Sequence, residues 1–349
     1  MAGERWLALD GLRGVAILLV VAAHGHVLSA DVGGMVGVTL FFVLSGFLIT
    51  NLLIQELDNT GRIDLKGFYG RRALRLLPAL VVYLGGISIV MTLLRLDVPV
   101  LETVWPPLLY VANYVQILGT DLVAHRHTWS LAVEEHFYLL WPILVGLGAT
   151  KKLRLLGFVV VMLIGWRFAV YSFSENVLWG YNGTDTNAYA LGMGAMLAAV
   201  RSRSGLPQPH RAVTSISVAG LVLLSLVQVN SAADLYRVSV WVPVLTAAVA
   251  VVAVWASVAS REPGFLTART LRWFGLISYS LYLWHAPILR FPALAETRLT
   301  RLAGVILGVV VAWLSWKLVE GPITRSRFRQ RLSPPHDALV SPAAFEVLN

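Results

Sequence analysis

Arg13 and His24 stand eleven positions apart in an otherwise apolar run, LDGLRGVAILLVVAAHGH. At about 100° per residue, eleven steps make three turns plus about 20°, so the two side chains share one helix face, separated by a rise of about 16 Å. His26, about 200° from His24, faces elsewhere. An imidazole titrates near neutral pH and can take a proton from a hydroxyl. An arginine is permanently charged and grips an anion through a planar fork. Singly, each has a structural reading, as a snorkelling cation or a hydrogen-bonded core histidine; the joint spacing in a lipid-bound segment favours function.

Three further clusters carry chemistry. GFYGRRALRLLPAL places Arg72 and Arg75 three apart and Arg71 and Arg75 four apart, on neighbouring positions at the start of a helix. Loop positive charge explains two arginines, but three also make a fork-donor site for phosphates. HTWSLAVEEHFYLLWP puts Glu134 and Glu135 about two turns inside the outer end of another helix, at a depth similar to His24. A carboxylate there needs a partner, and His24 is the expected one, with a structural interhelical ion pair as the alternative. FGLISYSLYLWHAPI carries Tyr279, Tyr282, Trp284 and His285; Trp284 reads as an interfacial belt residue, and His285 lies about as deep as His24. In SWKLVEGPI, Glu320 is expected to pair an arginine at the inner face.

The elements that must position these residues are membrane helices. Apolar residues make up 57% of the 349-residue chain and charged ones 13%, and the mean hydropathy is +0.71, far from globular averages. The expected fold class is all-α: a polytopic membrane helix bundle of about ten spans. These lie near 13–30, 33–54, 73–94, 129–149, 154–173, 186–200, 212–229, 238–257, 273–290 and 301–320. Basic residues crowd alternate loops, including Arg62 to Arg75, Lys151 to Arg154, Arg201 to Arg211 and Arg261 to Arg272, which places both termini in the cytoplasm. The net charge of +9 therefore reports orientation, and no nucleic-acid partner is expected. The first helix reads as retained and uncleaved. Residues 104–120 begin with a Pro106-Pro107 pair and are short, so they are expected to be re-entrant or interfacial. Residues 1–324 form the membrane domain and 325–349 a basic, disordered cytoplasmic tail. There are no cysteines, which excludes disulfides, thiolate metal sites and an acyl-cysteine. No internal repeat of the transporter kind is visible.

Together the motifs resemble the acyltransferase 3 family of integral-membrane acyltransferases. The carriers are ALDGLRGVAILLVVAAH, FFVLSGFLIT, RRALRLLPAL, HTWSLAVEEHFYLLWP, ISYSLYLWHAPI and VEGPI, in family order up to Pro322. The resemblance implies a ten-helix bundle in a bacterial-type plasma membrane. It also implies transfer of an acyl group, commonly acetyl, from acyl-CoA to a hydroxyl of a carbohydrate or glycosylated natural product, without a metal. It makes Arg13, His24, Arg72 and Arg75 functional, with Arg71 adjacent. One segment departs: where the family usually reads Asp-Thr-Arg-x-Asp, DTNAYALGMGAMLA has Asn187 and Tyr189. The resemblance further implies a stand-alone version, without an appended extracytoplasmic domain.

The two readings meet in one geometry. The nucleotide phosphates of acyl-CoA dock on Arg13, Arg71, Arg72 and Arg75 and the pantetheine arm threads toward His24. His24 acts as general base, oriented by Glu134 or Glu135, while Trp129, Tyr282 and His285 line the acceptor side or donate to the oxyanion. The acceptor is an envelope glycan or a glycosylated small molecule such as a macrolide. The rival reading is a proton-coupled transporter in which His24, Glu134, Glu135 and His285 relay protons.

Overall fold

The computed structural model describes residues 6–26, 32–95, 99–229, 231–260 and 264–325, and all regular structure among them is helical. The expected tail beyond Arg325 lies outside the described residues. The first half of the chain forms α1 (Leu7–His24), α2 (Gly33–Thr60), α3 (Leu65–Leu93), α4 (Val100–Leu108), α5 (Ala112–Ile117), α6 (Trp129–Gly146) and α7 (Leu153–Phe173). Then come α8 (Val177–Asn182), α9 (Thr184–Ser204), α10 (Ala212–Ser225) and α11 (Ala232–Ala259). The last are α12 (Arg269–Leu276), α13 (Ser278–Leu289), α14 (Pro292–Ala295), α15 (Arg298–Ser315) and α16 (Gly321–Arg325). A π-helical turn, Trp316–Glu320, joins the final two.

Six helical stretches are long and apolar enough to cross a membrane: Leu7–His24, Gly33–Thr60, Leu65–Leu93, Leu153–Phe173, Val238–Ala259 and Arg298–Thr324. The other four segments expected to span are also helical, but differently built. α10 has 14 residues, a rise of about 21 Å against the roughly 30 Å hydrocarbon core. The segment expected at 273–290 is two helices, because α12 ends at Leu276 and α13 begins at Ser278 around a buried Ile277. Residues 104–120 fall on α4 and α5, of nine and six residues, neither long enough to cross. Tyr110, at φ 55°, turns the chain between them.

Two interfaces made of backbone set the spacing of the bundle. α1 packs against α2 and α12, and α2 against α9. A Cβ on Gly11 would sit 1.9 Å from the Leu266 carbonyl oxygen, one on Gly14 2.0 Å from that of Leu271, and one on Gly275 1.9 Å from that of Asp10. This explains the glycines flanking Leu12 and Arg13: α1 lies directly on the backbone of α12 and the turn before it. Between α2 and α9 the same holds for Gly46 against Leu191 and Gly194 against Val43. Around these contacts lies a core of Leu12, Ile17, Leu40, Phe42, Phe47, Tyr189 and Leu191.

The start of α3 is fixed by polar side chains. Asp64 caps it, its Oδ1 accepting from the Gly67 N–H at 3.0 Å. Oε1 of Glu56, near the end of α2, accepts from the Asp64 N–H at 2.7 Å. The turn between α2 and α3 is therefore rigid, and the arginines that follow are placed by it.

Because the α2–α9 contact is backbone on backbone, Gly46→Ala is expected to destabilise the protein by about 3 kcal/mol or more. It would appear as a lower thermal unfolding midpoint of the purified protein. Gly85→Ala, with open space around it, is the control and should leave the midpoint unchanged or slightly raised.

Candidate active site

His24 is the last residue of α1. Its Nδ1 lies 2.9 Å from the Val20 carbonyl oxygen one turn earlier, so Nδ1–H donates and Nε2 carries the lone pair. Gly34, near the start of α2, faces the ring: a Cβ there would meet the His24 Cε1 at 3.5 Å, an ordinary van der Waals contact. The His24 imidazole meets that of His285 edge-on, with centroids 5.0 Å apart.

His285 is buried in α13 and held in the same way, Nδ1 donating to the carbonyls of Leu281 at 3.0 Å and Tyr282 at 2.8 Å. Its Nε2 is buried without a partner among the described residues. His127 stands next, 5.4 Å from His285 between centroids, with Nε2 donating to the Leu283 carbonyl at 3.1 Å and Nδ1 unpartnered. His125 follows, its Nδ1 2.8 Å from the Tyr83 hydroxyl. Burial pulls the His125 imidazole, in the turn that precedes α6, down to about 4. Among the described residues these imidazoles form no cluster able to hold a metal ion.

The two glutamates do not serve His24 by hydrogen bonds. Adjacent positions on a helix point about 100° apart, and α6 uses that angle to separate them. Glu135 faces α3, where Arg72 Nε donates to both of its oxygens at 2.9 Å and Nη2 adds a third contact at 2.5 Å. The Arg72 guanidinium also lies 3.3 Å over the ring of Tyr138. The sequence leads one to expect that Glu134 or Glu135 orients His24 and that Arg72 offers its fork to phosphate; here Glu135 and Arg72 are bonded to each other. A carboxylate and an arginine facing each other in a low-dielectric interior pair with one another first. Glu134 faces the other way and accepts from Ser45 Oγ at 2.8 Å.

Arg13 and Glu134 line one cleft, with Ser45, Ser130, Ser278 and Tyr282 as further polar groups and Val38, Phe41, Phe42 and Leu131 among its apolar walls. Arg13 Nη2 donates to Ser278 Oγ at 3.1 Å, and its Nε is buried without a partner among the described residues. Tyr282 connects the cleft to the histidines. Its hydroxyl donates to the His127 carbonyl at 2.6 Å and accepts from Ser130 Oγ at 2.6 Å, and its ring lies 5.5 Å from both His127 and His285.

The remaining candidates lie around this centre. Trp129 is buried between Phe42 and Tyr181, at 6.2 and 5.1 Å between ring centroids. Arg71 approaches Glu56 at 3.8 Å, at the end of α2. Arg75 and Arg13 both act electrostatically on Glu320, which accepts a hydrogen bond from Ser280 in α13. Sequence reasoning did not single out Ser45, Ser130, Ser278 or the pair His125 and His127. Serines in apolar helices and two histidines before WSLAVEE were the available signal, and only the fold shows which cleft they face.

Residues 6–319 match the family model of an acyltransferase domain. The chain is 32% identical to a peptidoglycan O-acetyltransferase of Listeria monocytogenes over 92% of its own length and 56% of the relative's. It is 31% identical to a provisionally named O-acetyltransferase of Staphylococcus aureus, over 91% and 57% of the two lengths. A provisionally named peptidoglycan O-acetyltransferase of Bacillus subtilis is also 31% identical, over 92% and 55%. The chain thus spans about half the length of the curated relatives it matches. No solved structure matches it. The family match includes α1, α2, α6 and α13, the elements that line the cleft, and α3 beside them, and the chain belongs to the acyltransferase 3 family.

Proposed function

We propose that the chain is a membrane O-acyltransferase that moves a short acyl group, acetyl in the first instance, from acyl-CoA to a hydroxyl of a carbohydrate or glycosylated molecule. The observation that carries this reading is the tautomer of His24: with Nδ1 tied to the Val20 carbonyl, Nε2 is the lone pair of an imidazole at the end of a membrane helix. His24 Nε2 takes the acceptor hydroxyl proton as the oxygen attacks the thioester carbonyl. The carbon–sulfur bond then breaks and the thiolate recovers that proton, leaving ester and CoA thiol. Arg13, which lines the cleft and whose Nε–H has no partner among the described residues, is the group we assign to the donor or to the developing oxyanion. Arg71 and Arg75 are assigned to the donor phosphates. Arg72 is assigned a positioning role through Glu135, and Glu134 the task of supplying negative charge beside Arg13.

The names of the relatives support an envelope glycan as acceptor, with a glycosylated small molecule as the second candidate. In this reading the chain crosses the membrane ten times, the four less apolar, shorter or broken helical segments joining the six long apolar ones, with both termini cytoplasmic. Helices α4 and α5 then sit at one interface.

Three outcomes follow for protein purified in lipid nanodiscs and supplied with labelled acetyl-CoA. His24→Ala should lose transfer by about 10²- to 10⁴-fold while acetyl-CoA binding by calorimetry is retained; wild-type turnover in this variant would sink the assignment. Arg75→Ala should raise KM for acetyl-CoA about tenfold, the worth of one charge-assisted contact, with kcat little changed. Arg72→Ala, which strands Glu135, should lower stability by about 3–5 kcal/mol, read from denaturant or thermal unfolding. The double change Arg72→Met with Glu135→Met should recover much of it.

A further inference from the structure

The cleft that holds Arg13 and Glu134 runs along one face of α2, where Val38, Phe42, Ser45 and Leu48 follow one another at helical spacing. Gly34 lies on the same face one turn before Val38, about 6 Å along the axis, and Gly34 is the residue that faces the His24 ring. The Val38 end of the cleft is therefore the end that leads to His24.

That end is closed by apolar side chains with rigid structure behind them. Phe42 is buried, its ring edge-on to that of Trp129 at 6.2 Å between centroids. Val38 and Phe42 wall both the cleft and a second void on their far side. The second void measures about 10 Å³, space for one water at most. It ends on Arg167 of α7, a residue 1% exposed. The Arg167 guanidinium is fixed by four acceptors, the carbonyls of Gly180, Thr186 and Ser239 and Oδ1 of Asn187. The Phe42 ring thus has almost no room to retreat. The cleft itself holds about 70 Å³ of free space, roughly five water-sized groups. An acetyl thioester brings a methyl, a carbonyl carbon and oxygen, and a sulfur, which fill that space; a hexanoyl chain adds four more carbons.

We propose that Phe42 and Val38 form the gauge that limits the donor's acyl group to about acetyl size. The inference rests on the acyl-transfer reading and deepens it. With the thioester drawn toward His24, the acyl chain points at the Phe42 ring, and each further methylene must displace a side chain that is packed on its other face. Overfilling of this kind is costly in a close-packed interior.

Calorimetric binding of acetyl-CoA, butyryl-CoA and hexanoyl-CoA to the full chain in nanodiscs tests the gauge without an acceptor, with empty nanodiscs subtracted. Each protein is judged by its own ratio of Kd values, hexanoyl over acetyl, so a change in the folded fraction cancels. The wild-type ratio should be about ten or more. Phe42→Ala removes the ring's six carbons against the four that hexanoyl adds, and should lower the ratio about tenfold. Phe42→Leu should lower it in part, and carries the test if the alanine variant does not fold. Val38→Ala, which removes two methyl carbons, should relax the discrimination against butyryl-CoA more than that against hexanoyl-CoA. Phe47→Ala, a change at a position equally buried in α2 but packed on Trp6, loosens the same helix and should leave the ratio unchanged. A wild-type ratio near one, an unchanged ratio in the Phe42 variants, or an equal fall in Phe47→Ala would overturn the gauge and leave the acyl-transfer reading standing. Wild-type protein that binds none of the three thioesters would overturn the acyl-CoA reading, and the gauge with it.

Discussion

A carboxylate inside a membrane bundle is tolerated only where a cation or strong donors meet it, and the clamp of Arg72 on Glu135 is where this protein meets that demand most completely. It joins α3 to α6, as does the Tyr69 hydroxyl of α3, which donates to the Leu139 carbonyl of α6 at 2.7 Å. It also decides what its neighbour can do. With Glu135 turned to α3, Glu134 is turned by the helical step toward α2 and the cleft, where Ser45 and not a cation bonds it. One glutamate is used for structure, and the adjacent one is left beside Arg13 in open space.

The histidines follow the same rule by a different route. His24 and His285 each return Nδ1 to a carbonyl one turn earlier on their own helix, Val20 and Leu281 respectively. Such a bond needs no second element, so the helix itself chooses the tautomer and directs Nε2 outward. His127 reaches the same state through a neighbouring helix, donating Nε2 to Leu283 of α13. Three imidazoles in edge contact are thus all presented as bases, with their N–H groups consumed by backbone. The aromatic Tyr282 stands between them and the cleft, its own proton held by the His127 carbonyl.

Much of this was legible in the sequence, and the limit falls at pairing. The shared face of Arg13 and His24 needed only the helical repeat, because α1 runs unbroken through both. The arginines opening α3, the glutamates on α6 and the aromatic-histidine run of α13 were each recognisable as polar groups inside apolar helices. Which group meets which was not, since neighbours on α6 differ by 100° and nothing local says which faces α3. The break at Ile277 was hidden for a related reason: an apolar residue in an apolar stretch gives no stop signal. Arg167 was readable as an arginine within LIGWRFAV, but its partners, the carbonyls of Gly180, Thr186 and Ser239, come from three other helices, α8, α9 and α11.

That break also explains why the cleft exists. A helix interrupted inside a membrane protein leaves backbone groups unsatisfied, and such interruptions persist only where protein or an internal cavity surrounds them. Ser278 and Tyr279, the first two residues after the break, line the cleft, and Ser278 accepts from Arg13. The Tyr279 hydroxyl reaches across to the Leu76 carbonyl of α3, two residues before Pro78 in that helix. Two irregular helices are therefore tied together by a side chain from the break itself. Beneath them, Ser280 bonds Glu320 at the end of the π-helical turn, a third local departure from regular helix. The cleft is bounded by the irregular start of α13, by Arg13 of α1 and Glu134 of α6, and by a wall of α2 that includes Val38, Phe41, Phe42, Ser45 and Leu48. Two hydrogen bonds, Arg13 to Ser278 and Ser45 to Glu134, tie these walls together in pairs, α1 to α13 and α2 to α6.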